Sequence, residues 1–284
     1  MIFVSGASGN IGTAIAESLR ARQVPFRIGS RSPNSINAQD NMEVVPFNFL
    51  DATTFQSAVQ GCNAMFLLRP PAVANTKKTL NPLIDVARSQ GVRHIVFISV
   101  AGAGDNPIVP HYAVEQHLSQ ASEGWTILRP GFFAQNLGDA YREDIVQDDR
   151  VFLPAGTGRV AFIDTRDIGE VAANILIEPT AHQAQTYTMT GAEALSFNEV
   201  ASILSDEMGR AIAHQPASIP SYCFHLLRRK MPLEQIMILT ILHVGLRFGQ
   251  AETVDDTLPN LLGHSSRSLR DYIQDHRHLW LKTQ

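Results

Sequence analysis

Two rhythms of apolar positions alternate through the first half of the chain. Short apolar runs stand at Met1-Ile2-Phe3-Val4, Phe26-Arg27-Ile28-Gly29, Val44-Val45-Pro46-Phe47 and Ala64-Met65-Phe66-Leu67-Leu68. Two more follow at His94-Ile95-Val96-Phe97-Ile98-Ser99 and Trp125-Thr126-Ile127-Leu128. The near-continuous run from His94 is what a strand buried on both faces of a parallel sheet requires. Between the runs the spacing turns helical. Ile11, Ile15 and Leu19 share one face, and so do Leu80, Leu83, Ile84 and Ala87, with Gln90-Gly91 closing that helix. A further helix is expected near His111 to Ala121, with Pro110 placed to begin it. Strand and helix in alternation predict an α/β fold, a Rossmann-like doubly wound parallel sheet.

The second half is less regular. Val160 to Ile163 and Thr186 to Met189 predict strands, and Arg166 to Ile177 a helix. Ser196-Phe197-Asn198-Glu199 has the form of a capping box, so a helix should run from Phe197 to Met208 and stop at Gly209. Helices around Leu233 to Phe248 and Ser268 to Leu279 complete a small, mainly helical C-terminal lobe. The most apolar long run, Ile236 to Leu246, is interrupted by Thr240 and His243. It is shorter than the roughly 20 residues of a bilayer span and predicts a buried helix. The expected division is 1–130 as a dinucleotide-binding domain and 131–284 as the rest of the sheet interleaved with the substrate lobe.

Composition narrows the partners. A chain of 284 residues with 44% hydrophobic residues can build a full core. The net charge of −4, without a basic stripe, argues against nucleic acid as the main partner. Cys62 and Cys223 are far apart and in no motif, which fits a reduced, cytoplasmic setting. The first strand begins at Met1, leaving no room for a signal peptide. No metal is expected, since His276 and His278 are poorly spaced on a helix, and Asp164 and Asp167 read as helix-positioning residues. Arg228-Arg229-Lys230 reads as a solvated stretch. Leu226, Leu227, Met231, Met237 and Leu242 read either as the apolar lid of the substrate lobe or as plain core.

The chemistry begins at Gly6-Ala7-Ser8-Gly9-Asn10-Ile11-Gly12, a G-x-x-G-x-x-G turn between the first strand and the first helix. In that context side-chain-free backbone approaches a pyrophosphate, and the helix N-terminus adds partial positive charge. The end of the second strand reads Gly29-Ser30-Arg31-Ser32, with no acid for ribose hydroxyls. Arg31 is suited to a 2′-phosphate, with Ser30 or Ser32 adding a hydroxyl, which favours NADP(H); otherwise it is a solvated loop arginine. Asp51 either meets the adenine amino group or N-caps the helix from Ala52, and the two are compatible. Leu68, Arg69 and Pro70 should border the middle of the cofactor, and Ser99 and Val100 its nicotinamide end.

Several of these stretches together resemble the NmrA-like atypical short-chain dehydrogenase/reductases. They include Gly6 to Gly12, Ser30-Arg31-Ser32-Pro33, Gly91 to Val96, His111 with Glu115, and Trp125 to Pro130 with Phe132, Phe133 and Asn136. Gly156-Thr157-Gly158 before Asp164 and Asp167, and Thr190-Gly191 before the capping box, extend the likeness almost to the C-terminus. The family includes triphenylmethane reductase, type 2 quinone oxidoreductase and the festuclavine dehydrogenase group, which the C-terminal half resembles most. It also contains NmrA itself, a dinucleotide-binding regulator. The resemblance implies a Rossmann domain with a small substrate lobe and NADP(H) in the cleft between them; a monomer or homodimer acting on a small-molecule substrate is expected. It leaves the substrate open, and with it the alternative of a non-catalytic redox sensor.

One hallmark of short-chain dehydrogenases is missing. Their Tyr-x-x-x-Lys pair handles a proton while hydride moves. Here Tyr112 is followed four residues on by Gln116. The same helix carries His111 and Glu115 at i, i+4. Glu115 is expected to orient His111 and raise its pKa, making His111 the catalytic proton donor; the plainer reading is a surface ion pair. A site without the Tyr/Lys pair fits a quinone, imine or iminium ion, or dye, which accepts hydride with little acid assistance. Phe132 and Phe133 would wall the substrate, with Asn136 as a polar contact, unless one of the two phenylalanines belongs to the core.

Overall fold

A computed structural model describes residues 1–37 and 41–282. They form two compact units. The first holds Met1–Pro130 and Thr165–Met189. It contains strands β1 (Ile2–Val4), β2 (Phe26–Ser30), β3 (Met42–Pro46), β4 (Ala64–Leu68), β5 (His94–Ile98) and β6 (Trp125–Pro130). Its helices are α1 (Asn10–Ala21), α2 (Phe55–Val59), α3 (Leu80–Ser89) and α4 (Pro110–Leu118). The second unit holds Gly131–Asp164 and the chain from Thr190 on. Its first elements are β7 (Phe132–Phe133), α5 (Arg142–Asp148), β8 (Arg150–Leu153) and β9 (Arg159–Ile163). The chain then returns to the first unit with α6 (Thr165–Ile177) and β10 (Gln185–Met189) before leaving it again.

The first unit is the predicted doubly wound sheet. Seven strands run in the order β10-β6-β5-β4-β1-β2-β3, and every pairing is parallel. Side chains alternate across it, as a pleat requires. Phe3, Met65, Leu67, Ile95, Phe97 and Ile127 share an apolar cluster with residues of α2, α3 and α4. Their alternates Val4, Phe66, Val96 and Leu128 are equally buried and point to the other face. Burial on both faces explains why these strands read as unbroken apolar runs. Helices α1 and α6 pack so closely that a Cβ on Gly169 would lie 2.7 Å from Ala14.

The second unit is built around β9. It pairs parallel with β7 (Phe132↔Phe162) and antiparallel with β11 (Ala194–Ser196). A separate pair joins β8 to β12 (Ala213–Pro216). The helices are α7 (Phe197–Met208), α8 (Ile219–Arg228), α9 (Leu233–Leu246), α10 (Thr257–Leu262) and α11 (Leu269–Asp275). The capping box forms: Ser196 Oγ accepts from Glu199 N, and the Glu199 carboxylate accepts from Ser196 N at 2.7 Å. Trp280 is fully buried and donates from Nε1 to Leu137 O at 3.0 Å.

One expectation fails here. α9 is not a buried helix. Ile236, His243, Gly245 and Leu246 face inward, while Leu233, Met237, Ile238, Ile241 and Leu242 are exposed. A helix apolar all round carries no sign of which face will find a neighbour, and α9 packs along one narrow strip. Of the lid candidates, Leu226 is buried in the core, and Leu227, Met237 and Leu242 are exposed. Among the described residues, no helix is long and apolar enough to cross a membrane.

Candidate active site

The strand order places a topological switch at β1, whose neighbours are β2 on one side and β4 on the other. Loops leaving the carboxyl ends of β1 and β4 border a crevice there. They touch: a Cβ on Gly6 would lie 2.6 Å from Leu68 Cδ2, and Ser5 Oγ accepts from Leu68 N at 3.1 Å. Gly6 also has φ +67, which favours glycine. A Cβ on Gly12 would lie 2.1 Å from Gly6 O, so α1 starts hard against the turn. Gly9 differs from both. It is the N-cap of α1 without a side-chain cap, and nothing lies within 3.7 Å of its absent Cβ. Ser8, Gly9 and Asn10 are exposed, Ile11 is half-buried, and no acid stands in the first turn. An open, uncapped helix N-terminus of this kind suits a pyrophosphate.

At the end of β2, Ser30 Oγ accepts from Ser32 N at 3.1 Å and fixes the turn. Arg31 projects from that turn, exposed and without an ion-pair partner among the described residues. Asp51 is a cap: its Oδ1 accepts from Thr53 N at 3.1 Å and Thr53 Oγ1 at 2.6 Å. Leu50 beside it is 75% exposed.

At the carboxyl end of β4, Arg69 turns back on its own loop. Nη1 donates to Pro70 O, Pro71 O and Val73 O at 3.1, 3.2 and 2.9 Å. Its Nε donates to His111 Nε2 at 3.3 Å. An arginine can only donate, so Nε2 accepts and the neutral ring carries its proton on Nδ1. That Nδ1 is buried and has no hydrogen-bond partner. His111 is 8% exposed, and burial, then the charge of Arg69, lowers its pKa to about 4.

The expected His111–Glu115 partnership is therefore wrong, and so is the plainer surface ion pair. The partner of His111 is a cation, and the shift is downward. Glu115 is occupied elsewhere: Arg129 donates Nε to Oε1 at 3.0 Å and Nη2 to Oε2 at 2.5 Å. The Ser99 hydroxyl also donates to Glu115 Oε1. Residues at i, i+4 share a helix face, but that spacing does not choose between a neighbour on the helix and one across the sheet. A guanidinium fork matches a carboxylate better than an imidazole does. Arg129 stands at the end of β6, and a Cβ on Gly104 would lie 2.0 Å from its Nη2. Gly104 and Arg129 were not singled out from the sequence. A charged residue ending an apolar strand was the available signal. Ser99 is fully buried with its hydroxyl committed, and Val100 is half-buried beside it.

In the second unit the two phenylalanines of β7 part company. Phe132 is core, edge-on to Phe162 at 5.6 Å. Phe133 is half-buried, and Asn136 is half-buried with its side-chain amide unpaired among the described residues. A buried relay was also missed. His243 meets Tyr141 Oη through Nε2 at 2.6 Å and Tyr222 Oη through Nδ1 at 3.0 Å. Burial lowers the pKa of His243 to about 4 and raises both phenols. Among the described residues, no group of His, Cys, Asp or Glu is arranged to hold a metal.

The oxidoreductase YesF of Bacillus subtilis (strain 168) is 29% identical over 280 residues, covering 98% of this chain and 96% of its own. An NAD(P)H azoreductase of Xenophilus azovorans is 29% identical over 283 residues, covering 97% and 98%. Triphenylmethane reductase of Citrobacter sp., solved with NADP(H), shares the fold, with a TM-score of 0.86 at 24% identity over 97% of this chain and 99% of that one. The pattern of the NmrA-like family matches residues 1–268, nearly the whole length, and the chain belongs to that family.

Proposed function

We propose that the protein is an NADPH-dependent reductase that passes hydride to a small conjugated or aromatic acceptor: a quinone, an imine or iminium ion, or a dye. The reduced nicotinamide supplies the hydride. The turn from Gly6 to Gly12 and the N-terminus of α1 take the pyrophosphate, and Arg31 with Ser30 takes the 2′-phosphate. Leu68, Arg69 and Pro70 border the middle of the dinucleotide, and Ser99 and Val100 its reactive end. Phe133 and Asn136 are the candidate acceptor contacts of the second unit. The names of the relatives, azoreductase and triphenylmethane reductase, point to acceptors of the same class.

The observation that carries this reading is the state of His111. With its pKa lowered to about 4 the ring is neutral near pH 7 and cannot deliver a full proton. Its unpaired Nδ1–H can still donate a hydrogen bond to an oxygen or nitrogen gaining charge, as neutral imidazoles do in other enzymes. Glu115 is occupied by Arg129 and Ser99. An acceptor whose reduced form is stable without immediate protonation suits such a site; a simple ketone does not.

The test is NADPH oxidation across a panel of quinones, azo and triphenylmethane dyes, cyclic imines and simple aldehydes. Turnover well above background with a conjugated acceptor, and none with the aldehydes, is the expected result. Tight NADPH binding without turnover on any of them would replace this reading with that of a dinucleotide-binding sensor.

A further inference from the structure

Arg69 faces a ring rather than an acid. Its Nε donates to His111 Nε2 at 3.3 Å, and its Nη1 fans over the carbonyls of Pro70, Pro71 and Val73 at 3.1, 3.2 and 2.9 Å. The side chain is half-buried, and among the described residues no carboxylate pairs with it. The usual reason for taking a guanidinium out of water, an ion pair, is missing. Other contacts hold the pair in place. Phe97 of β5 lies beside the imidazole, with ring centroids 6.0 Å apart. Thr76 Oγ1, in the segment between β4 and α3, donates to Pro110 O at 2.8 Å and ties that segment to the first turn of α4. Arg69 and His111 are thus brought together from both sides.

A guanidinium N–H admits one state of the ring. Imidazolium carries N–H on both nitrogens, and one neutral tautomer carries it on Nε2; either sets a donor against a donor. The tautomer with a bare Nε2 and a proton on Nδ1 is the one that fits. A free histidine side chain favours the opposite tautomer, so this one has to be imposed. The bond made at one ring nitrogen decides what the other carries. We propose that Arg69 is a positioning residue: it holds His111 in the Nδ1–H tautomer, so that the unpaired Nδ1 keeps a hydrogen to donate. The bonds from Nη1 to the loop carbonyls keep the guanidinium from swinging away and leave Nε presented to the ring. The use made of that hydrogen rests on the reductase reading above; the tautomer itself is independent of what the protein reduces.

Two variants separate this role from one of merely holding the loop. In Arg69→Gln the amide nitrogen takes the place of Nε and still donates to His111. In Arg69→Met a methyl group takes that place. Both lose the bonds to the loop carbonyls. Heteronuclear NMR of the imidazole nitrogens, with His111→Ala to assign the signal, reads the tautomer without substrate. The parent and Arg69→Gln should carry the His111 proton on Nδ1, and Arg69→Met on Nε2. With a conjugated acceptor, the KM for NADPH should rise alike in both variants. The kcat should fall at least about tenfold further in Arg69→Met than in Arg69→Gln, towards that of His111→Ala. Adding Arg69→Met to His111→Ala should lower kcat no further. A parent ring protonated on Nε2 overturns the proposal. So does an Arg69→Met ring still protonated on Nδ1, or an equal loss of kcat in the two variants. A parent that reduces no acceptor ends the reductase reading instead, and the spectra still decide the tautomer.

Discussion

His111 of the first unit and His243 of the second are both buried, as is His94 of the first, whose Nε2 lies 2.9 Å from Thr126 Oγ1 and whose Nδ1 also has no hydrogen-bond partner. His111 and His243 are 8% and 1% exposed, and burial lowers both pKa values to about 4. His243 has a tyrosine hydroxyl on each nitrogen. His111 has Arg69 on Nε2 and nothing on Nδ1. A buried polar atom left without a partner costs free energy, and natural folds seldom retain one without a use for it. Full satisfaction marks His243 as structural; the vacant Nδ1 of His111 is shared by His94 at the amino end of β5, so what sets His111 apart is Arg69 on its Nε2 and its place in the fold. His111 lies at the carboxyl edge of the sheet, where ligands bind in doubly wound folds.

The largest expected effect that could break this contrast is on turnover. His111→Ala should lower kcat by about 10²-fold or more, the cost of one lost donor to a developing charge, while the melting temperature hardly moves. Unchanged kcat would make the two rings equivalent. His243→Phe should do the reverse. It strands two buried phenols and should cost on the order of 2–4 kcal/mol in denaturant unfolding, with kcat retained in the folded fraction. A selective loss of kcat would place Tyr141–His243–Tyr222 in the reaction.

pH dependence sharpens the comparison. Both rings have folded pKa values of about 4, below the ordinary 6.5, so the unfolded chain takes up the proton first. Stability from each is whole above about pH 6.5 and declines as the pH falls toward about 4, by up to about 3 kcal/mol per ring. His243→Phe should flatten that decline in acid unfolding curves. By the same shift, kcat should be level between about pH 6 and 8. A limb there that vanishes in His111→Ala would restore His111 as a true acid. The smallest effect concerns the cofactor: Arg31→Ala should cost about 1–2 kcal/mol of NADPH binding and leave NADH unaffected. Equal losses in titrations of both would remove Arg31 from the 2′-phosphate site.

Much of the fold was legible along the chain. The span of α3 and that of α7 with its capping box were readable to the residue, because apolar spacing and caps are local signals. The glycine turn was readable because its spacing between a short apolar run and a helical pattern is a local signal, although the close approach of Leu68 to Gly6 was not. The short elements β7, β8, β11 and β12 were not, since two to four residues carry too little periodicity to read.

The local chemistry of the chain determined by itself that a parallel sheet would form, that a glycine turn would join β1 to α1, and that no Tyr-x-x-x-Lys pair would be present. Tertiary structure decided the partners. Glu115 could be placed on a helix face from its spacing, but only the approach of β6 gave it to Arg129 rather than to His111. Phe132 and Phe133 are adjacent in sequence, and only the packing of β9 sent one into the core. The apolar run of α9 announced a helix, yet which of its faces would be covered depended on neighbours far along the chain. Caps, turns and periodicity act over a few residues, whereas ion pairs and burial depend on what the folded chain brings alongside.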